Sequence, residues 1–293
     1  MNKNTLSTNN IILGMYEKAL SKNLSWPERL DFTRKANYDY IEMSIDESDE
    51  RIGRLDWSSG KLAKLNAACK NSAVPIKSLS LSAHRRFPLG SEDKTTRHTS
   101  LDLFKKTIEF SVHLGIRHIL VSGADIYYEE STEQTEALFI DGLEQGIRWA
   151  EEAGIMLALE NWDIRIDSLT KVMKYVNHFN SPWFKVYADI GNLAFAGYDV
   201  LSELEVARDH IVAVHLKDTL KGKLRYVYPG EGIVPFVDSL KKLAEMGYQG
   251  SYLLELWTGD LPNSFEIVSA ANKWIRSQMN IAWSKNKLKG NNK

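Results

Sequence analysis

Four residues with metal-ligand or proton-transfer chemistry stand at the ends of short apolar runs. Glu160 closes IMLALE, Asp189 closes FKVYAD, His215 closes IVAVH, and Glu255 lies near the end of SYLLELW. Successive members are 29, 26 and 40 residues apart, intervals suited to one strand-plus-helix unit each. If the runs are neighbouring parallel strands, all four side chains meet at one end of the sheet. Singly, each has an ordinary explanation: a strand-end glutamate pairs with a cation, and a histidine in an apolar run is hydrogen-bonded in the core. Three carboxylates and an imidazole sharing one partly buried place are harder to explain, because uncompensated buried carboxylates carry a heavy desolvation cost. A divalent cation offsets that charge and accepts both oxygen and imidazole nitrogen. The donor set contains no thiolate and suits Zn²⁺, Mn²⁺, Mg²⁺ or Co²⁺.

Two glutamates at such a centre suggest a reaction. A cation chelated by a sugar's carbonyl oxygen and the neighbouring hydroxyl oxygen acidifies the C–H between them by stabilising the enediolate. With Glu160 on one face and Glu255 on the other, one carboxylate removes the proton and the other returns one. The carbon is inverted, so the expected activity is epimerisation. The alternative is an aldose–ketose isomerase, in which the same groups move a proton between C1 and C2. A non-catalytic sugar-binding module is a third reading, and it would show binding without isotope exchange.

Further candidates lie close to strand ends. Ser82-Ala83-His84-Arg85-Arg86 follows the third run; His84 suits a substrate hydroxyl, and the arginines suit a phosphate through forked hydrogen bonds. Lys217 and Asp218 follow His215 and are placed to contact substrate or orient the imidazole. Gly230-Glu231-Gly232 comes after the seventh run, where barrels often bind phosphate, and puts Glu231 among the substrate-binding candidates. Glu17 and Glu42 read as polar groups lining the sheet or supporting the centre, and Trp57, Trp162 and Trp257 as walls of a pocket. Cys69 has no acid or histidine arranged near it and reads as inert.

The elements that must position these residues recur along the chain. Eight apolar runs (11–16, 40–43, 76–81, 116–121, 155–159, 184–188, 211–216 and 252–256) alternate with segments of helical periodicity. The runs read as continuously apolar strands buried on both faces. Ser25 and Pro27 open WPERLDFTRKA as a helix, and Gly115 and Gly154 close those over 101–114 and 138–153. Helices are also expected over 199–208, 236–246 and 265–279. Eight β-then-α units with no linker predict one (β/α)8 barrel spanning residues 1–293, with a polar extension at 1–10 and a frayed tail from about 282.

Composition bounds the function. The 293 residues carry 37 Lys+Arg against 38 Asp+Glu, a formal net charge of −1. No broad basic surface is available for nucleic acid, which argues against a barrel-type abasic-site endonuclease. Any anionic substrate must be met by a few local cations. With a single cysteine the chain cannot form an internal disulfide. The segment MNKNTLSTNN has no signal-peptide core, and no apolar run approaches the roughly 18 residues of a membrane span. The expectation is a cytoplasmic protein without membrane or nucleic-acid partners.

The segments GMYEKAL, YIEMSIDESDERIGRLDWS, LSAHRRFPLGS, ADIGNL, HIVAVHLKDT and GEGIV resemble those of L-ribulose-5-phosphate 3-epimerases, whose close paralogues are called hexulose-6-phosphate isomerases. The resemblance runs from about Ile11 to about Met279, in the same order. It implies a xylose-isomerase-like TIM barrel acting in bacterial L-ascorbate and pentose catabolism, often as a homodimer. It also implies interconversion of L-ribulose 5-phosphate and L-xylulose 5-phosphate. By the same resemblance the metal ligands are Glu160, Asp189, His215 and Glu255, and the proton-transfer pair is Glu160 and Glu255. Asn161-Trp162 and Ala188 depart from the family pattern beside two of these ligands, which bears on substrate choice.

Overall fold

A computed structural model of the chain describes residues 11–162 and 165–290, without the side chains of 285–290. The expected extension at 1–10 and the last three residues lie outside the described ones. Eight parallel strands, β1 (Leu13–Tyr16), β2 (Tyr40–Ile45), β3 (Ile76–Leu81), β4 (His118–Ser122), β5 (Met156–Glu160), β6 (Phe184–Asp189), β7 (Ile211–Leu216) and β8 (Ser251–Leu254), close in sequence order into one barrel. The helices around it are α1 (Trp26–Lys35), α2 (Asp49–Ile52), α3 (Ser59–Ser72), α4 (Lys94–Leu114), α5 (Glu133–Ala153), α6 (Leu169–Phe179), α7 (Ile190–Ala196), α8 (Val200–Val206), α9 (Phe236–Glu245) and α10 (Ser264–Gly290).

The boundaries follow local chemistry. At the start of α1 the Ser25 N–H donates to Glu28 Oε2 at 2.7 Å, half of a capping box. Gly115 and Gly154 end α4 and α5 in the left-handed conformation, at φ 70° and 66°. Both helices begin earlier than periodicity suggests. Their first turns are polar, and they are capped by Asp93, which accepts the Thr96 N–H at 2.7 Å, and by Thr132. The last helix does not end at Met279 or fray from residue 282; it continues to Gly290. Val268, Ala271, Ile275, Met279, Ala282 and Trp283 keep one apolar stripe buried, and Trp283 meets Tyr252 edge-on.

The strands are buried on both faces, as expected, but their residues alternate in kind rather than being uniformly apolar. Ile41, Met43 and Ile45 of β2, like Leu79 and Leu81 of β3, join the large core shared with the helices. The intervening positions face the barrel interior. Leu120, Ala158, Tyr187 and Ala213 pack there as one cluster, and Tyr16, Tyr40 and Leu253 as another. Glycine is required at Gly14, since a Cβ there would lie 2.2 Å from the Tyr40 ring that fills the space. The same inward register holds Glu42, Glu160, Asp189 and His215, so one row of the alternation supplies both filling and chemistry.

Candidate metal centre and its pocket

Glu160 and Asp189 are the last residues of β5 and β6, His215 is the penultimate residue of β7, and Glu255 directly follows β8. The four are buried, and one ligand atom from each lies within 4.8 Å of all the others. The β6–β7 register sets Asp189 beside His215. His215 Nδ1 lies 2.9 Å from Glu160 Oε1, 3.5 Å from Glu255 Oε2 and 3.7 Å from Asp189 Oδ2. On its other side Nε2 lies 3.2 Å from Glu42 Oε1.

Asp189 divides its labour. Its Oδ1 accepts the Asn192 N–H at 2.8 Å and so caps α7, which turns Oδ2 toward the centre. Asn161 fixes the same residue by its backbone, accepting the Asp189 N–H at 2.9 Å and donating to the Asp189 carbonyl at 3.0 Å. Asn192 donates to the Asn161 carbonyl at 2.8 Å and accepts from Lys217 Nζ at 2.6 Å. Lys217, 2 % exposed, brings its ammonium to 2.8 Å from Asp189 Oδ2 and 2.9 Å from Glu255 Oε2. Neither oxygen has a partner in hydrogen-bond alignment, so both point into the centre with lone pairs to spare.

The electrostatics follow from burial opposed by neighbours. Burial raises the Glu160 carboxyl, and the His215 contact offsets only part of that. Burial also pushes up on Glu255, but the Lys217 and His215 charges outweigh it and hold that carboxyl well below its usual range. Burial alone would lower His215; Glu255, Asp189 and Glu160 together raise it well above the ordinary value. Lys217 is likewise raised, its burial outweighed by Asp189 and Glu255. With Glu42 included, four buried carboxylates face one lysine and one imidazole, a surplus of negative charge. That surplus, the two unaligned oxygens and the mixed oxygen–nitrogen donor set fit a divalent cation.

The cluster opens into a cavity of about 200 Å³. Beyond Glu160, His215 and Glu255, its wall includes Tyr16, Lys18, Ser80, Arg85, Arg225 and Trp257. Arg85 stacks on Trp162 at 4.3 Å, and Arg225 lies 5.0 Å from the Trp257 ring. Lys18 is fixed by Asp46 at 2.6 Å.

Other candidates lie elsewhere. His84 does not line the cavity; its ring is buried edge-on against Phe104, with Nε2 3.3 Å from the Ser100 carbonyl. Arg86 turns outward to Asp49. Glu231 is exposed and accepts the Tyr228 N–H. The amides of Gly230 and Gly232 donate to Asp218 Oδ2 at 2.8 and 2.9 Å, so they are engaged within the protein. Glu17 is paired with Arg51 and Arg54, and Trp57 packs against Phe110, both away from the centre.

Sequence reasoning missed Lys18, Arg225, Asn161 and Asn192. Lys18 was open to the strand-end rule that singled out Glu160, Asp189, His215 and Glu255, since it lies two residues past β1. The asparagines flank Glu160 and Asp189 in sequence. Arg225 sits on the long connection between β7 and α9, where no periodicity marks it.

Fold and site together define a xylose isomerase-like TIM barrel, and residues 30–278 match the model of that family. The chain is 42 % identical over 270 residues to the L-ribulose-5-phosphate 3-epimerase UlaE of Salmonella heidelberg (strain SL476), covering 92 % of this chain and 95 % of that protein. The enzyme of the same name from Escherichia coli O1:K1 / APEC matches with the same identity and coverage. The chain belongs to the L-ribulose-5-phosphate 3-epimerase family and is an isomerase of the epimerase type. Among solved structures, an L-ribulose 3-epimerase superposes with a TM-score of 0.79 at 18 % identity, covering 95 % of this chain and 97 % of that one. The 3-keto-D-glucoside 4-epimerase YcjR from E. coli gives 0.76 at 18 % identity, covering 91 % and 99 %. Identities this low speak to the fold alone. No helix among the described residues is long and apolar enough to cross a membrane.

Proposed function

We propose that the chain is a divalent-metal-dependent epimerase that interconverts L-ribulose 5-phosphate and L-xylulose 5-phosphate at C3. The observation that carries the mechanism is the buried convergence of Glu160, Asp189, His215 and Glu255, with two carboxylate oxygens left out of hydrogen-bond alignment. The substrate follows from the names of relatives 42 % identical along nearly the whole chain. Glu160, Asp189, His215 through Nδ1, and Glu255 would hold the ion. When bound, it would stabilise the negative charge that grows on the substrate's oxygens as the C–H is deprotonated.

The chain's own groups do the rest. Glu160 and Glu255, from strands three apart, form the proton pair: one carboxylate takes the C3 proton, and the other, protonated, delivers one to the opposite face. Lys217 holds Asp189 and Glu255 in place through its ammonium. Arg85, with Lys18 and Arg225 on the same wall, supplies the cationic side that a phosphate requires. His84 and Glu231, outside that wall, have no substrate contact in this scheme. A single-domain cytoplasmic homodimer acting in L-ascorbate degradation belongs to the same proposal, supported by the family resemblance and by how often such barrels pair. The test is conversion of L-ribulose 5-phosphate by protein stripped with a chelator and reloaded with Mn²⁺ or Zn²⁺. Stripped protein should be inactive and reloaded protein active. Turnover indifferent to stripping, or absent with every divalent ion, would refute the reading.

A further inference from the structure

Glu42 stands in the middle of β2, inside the barrel and with no exposed surface, below the cluster that the proposed reaction uses. An ionisable side chain at such a position carries a desolvation cost that a leucine would not. Its partners show where its carboxylate is directed. Oε2 accepts the Ser78 hydroxyl at 2.6 Å and the Tyr187 hydroxyl at 2.9 Å, while Oε1 faces His215 Nε2 at 3.2 Å. Tyr187 also packs its ring across the imidazole, with centroids 4.4 Å apart. Two hydroxyls therefore hold one carboxylate oxygen, and the other is turned to the nitrogen of His215 that points away from the centre.

We infer that Glu42 is a positioning residue for His215: by accepting the Nε2–H it fixes the imidazole tautomer in which Nδ1 offers its lone pair to the space between Glu160, Asp189 and Glu255. Ser78 and Tyr187 act through Glu42, and Tyr187 adds the ring contact that sets the plane of the imidazole. The inference rests on the reading of the four residues as a metal site. It adds that affinity for the ion depends on a carboxylate that never touches it, as is usual for partners of metal-bound histidines.

The experiment measures metal affinity directly, by competition between the protein and a chromophoric chelator for Zn²⁺, alongside the thermal midpoint of the metal-free protein. Glu42→Gln should bind Zn²⁺ about 10–100-fold more weakly than wild type. Tyr187→Phe, which keeps the ring and removes one of the two hydroxyl donors, should show a smaller loss. A folded Glu42→Gln with wild-type Zn²⁺ affinity overturns the inference while leaving the metal site standing. Wild-type protein that takes up no Zn²⁺ refutes the metal reading, and this inference with it. Should Glu42→Gln fail to fold, ¹⁵N NMR of zinc-loaded wild type decides the matter. The His215 proton is expected on Nε2; a proton on Nδ1 overturns the assignment.

Discussion

Lys217 holds Asp189 Oδ2 and Glu255 Oε2 less than 3 Å from a single buried ammonium. Removing one partner from such an assembly leaves uncompensated charge behind. Lys217→Met should destabilise the metal-free protein by about 3–5 kcal/mol in urea denaturation. A loss below about 1 kcal/mol, the range of surface ion pairs, would contradict this account. At the same scale, Glu160→Gln and Glu255→Gln should each lower kcat by about 10²–10⁴-fold. Equal activity in either variant would remove that residue from the proton pair. The convergence of Glu160, Asp189, His215 and Glu255 was legible because each lies at or near the end of an apolar run, which ties sequence position to place in the barrel. Asn161 and Asn192 were not, because their roles arise from contacts with segments distant in sequence: Asn161 with Asp189, Asn192 with Lys217.

The connection between β7 and α9 depends on Asp218. Its carboxylate accepts backbone N–H groups from Thr219, Gly230, Gly232 and Val234, at 2.8–3.3 Å. A Cβ on Gly232 would lie 2.1 Å from Asp218 Oδ1, which explains a glycine in that loop without invoking a phosphate. Asp218→Asn turns an amide donor toward those N–H groups. It should cost about 1.5–3 kcal/mol for each charge-assisted bond lost. Because the loop carries Arg225 to the cavity wall, KM should rise by a larger factor than kcat falls. Steady-state kinetics with KM unchanged would refute the link between loop and wall. The sequence placed glycines and acids here but could not say which amides they engage. It also set the starts of α4 and α5 too late, because their first turns are polar and periodicity begins only where apolar residues do.

The barrel itself was legible: eight apolar runs alternating with segments of helical periodicity, and no linker, leave few other architectures. What the runs concealed was the alternation along each strand. The helix-facing positions are apolar while the interior holds Glu42, Ser78 and His118, a contrast lost when the runs are read as continuously apolar. That interior has a consequence for stability. Burial pushes His118, and His84 packed against Phe104 of α4, down to about 4. An unfolded histidine titrates near 6.5, so between roughly pH 6.5 and 4 the unfolded chain binds more protons than the folded one. Stability therefore falls as pH drops through that window, by about 3 kcal/mol for each such group. Urea midpoints should decline from pH 7 to pH 4.5, and His84→Gln together with His118→Gln should flatten the slope. An unchanged slope in the double variant would assign the acid sensitivity to other groups.

In the proposed reaction two carboxylates on opposite faces of a sugar phosphate invert C3, and isotope exchange reads that step. Protein loaded with a divalent ion is incubated with L-ribulose 5-phosphate in D₂O, and the products are read by NMR. Two-carboxylate epimerisation places solvent deuterium at C3 of the L-xylulose 5-phosphate formed. Product without deuterium at C3, or label appearing at C1 instead, would contradict it, the latter pointing to aldose–ketose isomerisation by the same residues.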